Sequence, residues 1–189
     1  LTTSWMSHPG WNNPFGGLVA QCIAGQGEEP LLDLLGLKQQ HRDVAPDYQG
    51  LPLADYLAPG LILPYAASRG CYWNKCTFCP ETAEQSRYRP IAPQTVVAQL
   101  HQLCQHTQPS LIHLLDNAVS PAVMSALIDN PPGAPWYGFV RFHAQLTDVD
   151  FCHQLRQSGC VLLKLGLESG SQQVLDALHK GIDLGLVEQ

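Results

Sequence analysis

Charge is scarce in this chain, at 14% of 189 residues, and Lys plus Arg (10) are fewer than Asp plus Glu (16). The resulting net charge of −6 leaves no overall basic footprint for nucleic acid. Arg69, Lys75, Arg87 and Arg89 do gather around one stretch, where they form either a local basic patch or a solvated face. No apolar run approaches the roughly 18 residues of a membrane span, and no charged-then-apolar leader opens the chain. Four of the seven cysteines (Cys22, Cys104, Cys152 and Cys160) are scattered among apolar residues. An odd, scattered set argues against a secreted disulfide framework and fits a reducing cytoplasm. With 45% apolar residues the chain is expected to be a soluble globular protein, of one domain or one plus part of another.

The other three cysteines are concentrated. Cys71, Cys76 and Cys79 lie within nine residues, spaced C-x4-C-x2-C, with no fourth within twenty residues on either side. Thiolates this close converge on one centre only if the backbone wraps as a loop, which Gly70 and the lack of a helical apolar stripe allow. Structural zinc wants four ligands, usually from two C-x2-C knuckles, and the second knuckle is missing. Three cysteines on one loop suit a cubane iron–sulfur cluster with one iron left open. The plain alternatives are a zinc knuckle or idle thiols.

Along the chain, residues 18–24 read as a buried strand. The turn after it leads to an apolar helix face of Leu31, Leu32, Leu34 and Leu35, with Pro30 in its first turn. A dinucleotide reading is weak here, because Pro30 takes the place of the third glycine and Glu28 and Glu29 would repel phosphate. Residues 38–60 look like a linker, rich in Gln, Asp and Pro. Strands then alternate with helices. Strands are expected at 61–65, 111–115, 136–140 and 160–165. Helices are expected around Val96–Leu103, after the Ser120 cap and Pro121, from Thr147 and Asp148 to Gly159, and over 172–179. Apolar strands alternating with helices mean a parallel sheet covered by helices.

In parallel α/β folds, ligands bind at the C-terminal ends of the strands. The cysteine loop, Asp116, Arg141 and Glu168 each follow a different expected strand at that end. Each also has a plain role available: Asp116 as a cap, Arg141 as a surface ion-pair partner, Glu168 as a strand-end carboxylate, Phe78 as loop packing. His101, His106, His113, His143 and His153 are scattered and read as core or surface histidines.

The run Arg-Gly-Cys…Lys-Cys-Thr-Phe-Cys-Pro resembles the cluster loop of radical S-adenosylmethionine (radical SAM) enzymes. The usual spacing there is C-x3-C-x2-C, so this loop carries one extra residue between Cys71 and Cys76. Longer loops with a Cys-Tyr-Trp start occur in members that follow a cobalamin-binding-type domain. The resemblance extends over residues 53–182, through Leu-Leu-Asp-Asn at 114–117, Gly-Leu-Glu-Ser-Gly-Ser at 166–171 and His-Lys-Gly at 179–181. Gly-Gln-Gly-Glu-Glu-Pro-Leu at 25–31 is similar to the Gly-Glu-Gly-Glu element that closes the upstream domain.

This resemblance implies an α/β fold: an incomplete (β/α)6-type barrel of about four βα units over 61–189. The tail of a Rossmann-like domain (1–37) and a linker (38–60) would precede it, with two further units expected beyond Gln189. It implies a [4Fe–4S] cluster on Cys71, Cys76 and Cys79, with S-adenosylmethionine (SAM) as cosubstrate. Phe78 would lie by the adenine, Asp116 would contact SAM, Arg141 would lie near its carboxylate, and Glu168 would contact the ribose or amino group. Flavodoxin or ferredoxin would be the electron donor, and the substrate is not readable. A narrower reading is a cobalamin-dependent methyltransferase or an enzyme modifying ribosomal peptides. These residues contain no Asp-x-His-x-x-Gly-type cobalamin loop. The rival outside enzymology is a zinc-stapled binding module.

Overall fold

The computed structural model describes residues 18, 27–38, 44–84 and 86–189. The strand expected at 18–24, and with it most of the proposed upstream remnant, lies outside them apart from Leu18. Helix α1 (Glu28–Leu34) starts at the two glutamates, and Leu31, Leu34 and Leu35 stand exposed on it.

The strands in chain order are β1 (Ile62–Tyr65), β2 (Ser68–Arg69), β3 (Arg89–Pro90), β4 (Leu111–Leu114), β5 (Trp136–Val140) and β6 (Cys160–Leu165). The remaining helices are α2 (Pro80–Ala83), α3 (Pro93–Thr107), α4 (Pro121–Asp129), α5 (Val149–Gln157), α6 (Gln172–Ala177) and α7 (Leu184–Val187). Strands β1, β4, β5 and β6 form one parallel sheet in that spatial order. The order never reverses, so these strands contain no doubly wound switch point. Right-handed crossovers advancing in one direction leave their helices on a single face.

Burial follows from that arrangement. Leu63 and Tyr65 of β1, Ile112 and Leu114 of β4, and Trp136 and Val140 of β5 are buried. They share one core with Val96, Val97, Leu100 and Leu103 of α3, Val123, Met124 and Leu127 of α4, and Leu155 of α5. Alternate strand residues point the other way. That second face carries Ile62, Phe139 and Leu162, all substantially exposed. Gly138 lies on the helix side, where a Cβ would come within 3.0 Å of Val119.

The helix starts follow local chemistry. The Ser120 hydroxyl accepts from the Val123 amide with Pro121 next in line, and the Asp148 carboxylate accepts from the Asp150 and Phe151 amides. Gly159, at φ +94°, ends α5 and turns the chain into β6. There the register slips between Trp136 and Tyr137, which face Cys160 and Leu162 and leave Val161 unmatched.

The segment read as a linker is partly structured. A 3-10 turn spans Leu53–Asp55, and Tyr48 packs against the core while its hydroxyl donates to the Pro64 carbonyl. Isolated apolar residues do this without periodicity, which is why the segment looks like a linker in the sequence. An apolar cavity of about 550 Å³ lies between this segment and the start of β1, lined in part by Tyr48, Leu53, Tyr56 and Ile62.

The two sheet faces make an energetic prediction. Leu114→Ala, in the core, should destabilise by about 2–5 kcal/mol, whereas Leu162→Ala, at a position 49% exposed, should cost less than about 1 kcal/mol. Urea unfolding of the two variants measures both. Equal losses would mean that the second face is covered too.

Candidate functional site

The cysteine loop is pinched at its neck. Strands β2 and β3 pair antiparallel, Ser68 with Pro90 and Arg69 with Arg89, and the Ile91 amide adds a bond to the Ala67 carbonyl at 2.9 Å. Gly70 has φ +73°, and a Cβ there would stand 2.8 Å from the Arg87 carbonyl oxygen, so the neck closes only around glycine. Inside, Asn74 takes φ +45° and its side-chain amide donates to the Ser86 carbonyl at 3.1 Å. The Cys79 amide donates to the Cys76 carbonyl at 3.2 Å, closing the C-x2-C turn before Pro80 begins α2.

Two glutamates of α1 reach the neck. Glu28 pairs with Arg69, and Glu29 with Arg89 at 3.0 Å. Exposed pairs of this kind contribute roughly 0–1 kcal/mol. They do neutralise two of the four basic residues around the loop.

Cys71, Cys76 and Cys79 are free thiols, Cys76 buried and the other two partly so. They occupy the end of the sheet where β1 terminates. Among the described residues, no three His, Cys, Asp or Glu side chains stand close enough together to hold a metal ion.

The loop also docks across the sheet. It leaves β1, one edge strand, and meets the segment that follows β6, the opposite edge strand. Trp73 Nε1 donates to the His179 carbonyl at 2.9 Å, and the Thr77 amide to the Leu178 carbonyl at 3.1 Å. The indole lies on Gly181, where a Cβ would be 2.0 Å from Cζ2, and Gly181 itself has φ +62°. The Arg141 guanidinium covers the indole at 4.2 Å and donates to the Lys180 carbonyl. Lys75 Nζ lies 4.8 Å from the same ring centroid.

Among the residues singled out from sequence, Phe78 is half exposed, with Lys180 Nζ 5.5 Å from its ring. The Glu168 carboxylate accepts from Lys180 Nζ at 3.0 Å, and its backbone is left-handed at φ +71°. Non-glycine residues in that region are strained, and such strain concentrates at functional sites. Phe78, Arg141 and Glu168 thus meet through Lys180 and Trp73. Both lie in motifs noted in the sequence, Cys-Tyr-Trp and His-Lys-Gly, but neither is given a site role there. The signals were present: Trp73 sits in the C-x4-C interval that is one residue longer than usual, and Lys180 precedes the glycine the indole requires.

Asp116 is placed differently. Only 3% exposed, its carboxylate accepts from the Ala67 amide at 3.0 Å and from the Ser68 hydroxyl. It ties the end of β4 to the start of the cysteine loop, with both oxygens occupied. Burial pushes its carboxyl above the usual carboxylate range, and the bonds from Ser68 and Ala67 pull it back in part.

A raised value means that the folded chain keeps this proton to higher pH than the unfolded chain does. The contribution of Asp116 to stability is therefore complete below the ordinary carboxylate pKa and declines as pH rises through the raised one. Asp116→Asn should flatten this part of the stability–pH curve while keeping the fold. Asp116→Ala should cost about 1–3 kcal/mol by stranding the Ala67 amide and Ser68 hydroxyl. Denaturation midpoints across acid to neutral pH test both, and an unchanged slope in Asp116→Asn would remove Asp116 as the source.

Comparison with protein-family models returns no match for this chain, and comparison with curated proteins returns none either.

Proposed function

We propose that Cys71, Cys76 and Cys79 hold a [4Fe–4S] cluster and that the chain is the catalytic part of a radical SAM enzyme. The observation that carries the reading is shared position at one end of the sheet. Three free thiols on one pinched loop share the C-terminal end of a parallel sheet with Asp116, Arg141 and Glu168, each from a different strand end. Sequential strand order and a loop spanning from one edge strand to the other support a sheet that curves as part of a barrel.

The donor set fits such a group. A cubane takes each thiolate on a different iron, so its ligands need not meet at a point, and a three-cysteine loop leaves one iron open. Held by Cys71, Cys76 and Cys79, such a cluster would supply the single electron needed for reductive cleavage of SAM to methionine and a 5′-deoxyadenosyl radical, the species that would take hydrogen from a substrate.

The chain's own residues do the positioning. Trp73 and Gly181 fix the loop against the far edge, and Asp116 fixes its start. Arg141 uses part of its five-donor fork on the Lys180 carbonyl and keeps other N–H groups for a carboxylate. Glu168 is the acceptor for a ribose hydroxyl or an ammonium, with Lys180 as its present partner. The Phe78 ring offers a flat face to an adenine.

Anaerobic reconstitution with ferrous iron and sulfide tests the assignment. The full chain should turn brown, give a low-temperature electron-spin signal on reduction, and form 5′-deoxyadenosine from SAM. Alanine at Cys71, Cys76 or Cys79 should abolish the absorbance. Alanine at Cys104, Cys152 or Cys160 should leave it. Colourless protein with stoichiometric zinc, or equal iron loss in Cys104→Ala and Cys76→Ala, would defeat the reading.

A further inference from the structure

The turn that ends α6 departs from the usual pattern at two neighbouring residues. The His179 amide donates to the Asp176 carbonyl at 3.0 Å and the Lys180 amide to the Leu175 carbonyl at 2.9 Å, the paired bonds of a Schellman motif. The left-handed residue of that motif is usually glycine, and here it is His179, at φ +52°. The residue after it usually makes an apolar contact with the helix, and here it is Lys180. The lysine side chain is nonetheless only 10% exposed. A buried ammonium is strongly disfavoured without a counter-charge. The Glu168 carboxylate supplies one, with Oε1 at 3.0 Å from Lys180 Nζ.

Glu168 is shaped to meet it. Its own backbone is left-handed, at φ +71°. Its carboxylate folds back over Gly166, where a Cβ would stand 2.9 Å from Oε1 and 3.4 Å from Lys180 Nζ. Two left-handed non-glycine residues, one bare Cα and one buried cation thus fix a single carboxylate oxygen. Local rules broken together around one group mark a functional site more often than a structural one. The bond from Lys180 to Oε1 is the one hydrogen bond to this carboxylate among the described residues. Oε2 is therefore left to accept, on a side chain 42% exposed at the end of the sheet where the cysteine loop lies.

We infer that Lys180 is a positioning residue, which anchors Glu168 through Oε1 so that Oε2 meets a donor group of SAM. For the identity of that ligand the inference rests on the radical SAM reading. Exposed ion pairs contribute little, because both side chains must be ordered out of water. Here the turn of α6 has already buried one partner, so Glu168 is ordered before the ligand arrives. Less freedom is then lost on binding.

Equilibrium dialysis of SAM against the full chain, reconstituted anaerobically with iron and sulfide, is the first test. Lys180→Met should weaken SAM about tenfold or more at unchanged cluster absorbance. Lys180→Arg, which keeps the charge and the donors, should recover most of the loss. Glu168→Gln should weaken SAM by itself, and adding Lys180→Met to it should cost little further, because the lysine acts through that carboxylate. The second test uses the full chain without iron. Of the four lysines, Lys180 should be the slowest to be acetylated by sulfosuccinimidyl acetate, and Glu168→Gln should speed its labelling. Undiminished SAM affinity in Lys180→Met, or losses that add in the double variant, beside a wild type that binds cluster and SAM, would overturn the inference alone. Labelling of Lys180 as fast as that of the exposed Lys75 would overturn it without iron. A wild type that takes up neither cluster nor SAM would overturn the radical SAM reading and this inference with it.

Discussion

One indole, with a backbone bond from Thr77 to Leu178 beside it, joins the two edges of this sheet at the end where the candidate site lies. Trp73 donates to the His179 carbonyl, rests on the bare Cα of Gly181 and lies under the Arg141 guanidinium. These contacts are individually small: a cation–π pair contributes about 0.5–2 kcal/mol, depending on burial. Their importance is positional. They join the loop after the first strand of the sheet to the segment after the last, and Phe78, Glu168 and Lys180 take their places around that junction.

A second tether works from the centre of the sheet. Asp116 leaves β4 and accepts from Ala67 and Ser68, so the cysteine loop is fixed where it begins as well as where it docks. Between those points the β2–β3 ladder closes the neck. A loop restrained at its root, its neck and its tip loses much of its freedom before any ligand arrives. Ordering it on binding then costs correspondingly less.

The parts of this arrangement that were legible in the sequence are those governed by local periodicity. The alternation in β1, β4 and β5, the Val96-to-Leu103 stripe of α3 and the Ser120-Pro121 and Asp148 helix starts each follow from neighbouring residues alone. Strand-end positions followed too, since a parallel sheet puts Asp116, Arg141 and Glu168 at one end. What stayed hidden depends on partners far apart in the chain. The two-residue ladder of β2 with β3 is too short to have a period. The engagement of Arg141 by Trp73 needs the loop already docked, and the pairing of Glu168 with Lys180 needs the chain after β6 to turn back on itself. The face taken by Lys164 is set by the register slip beside Tyr137, which has no signature in composition.

The residue at position 64 gives the sheet a polarity of growth. In β1 the carbonyls of Leu61 and Tyr65 accept from the β4 side, so the alternate residue Pro64 faces the edge that no described strand pairs with. Proline has no N–H to offer there, and its carbonyl is already taken by the Tyr48 hydroxyl. A strand approaching β1 would therefore find its hydrogen-bond ladder interrupted at the middle rung. At β6 the outer edge is all non-proline residues, with Val161, Leu162 and Leu165 exposed beside it. Lateral extension is thus favoured at one side only, and the chain's own side chains, rather than its length, decide which.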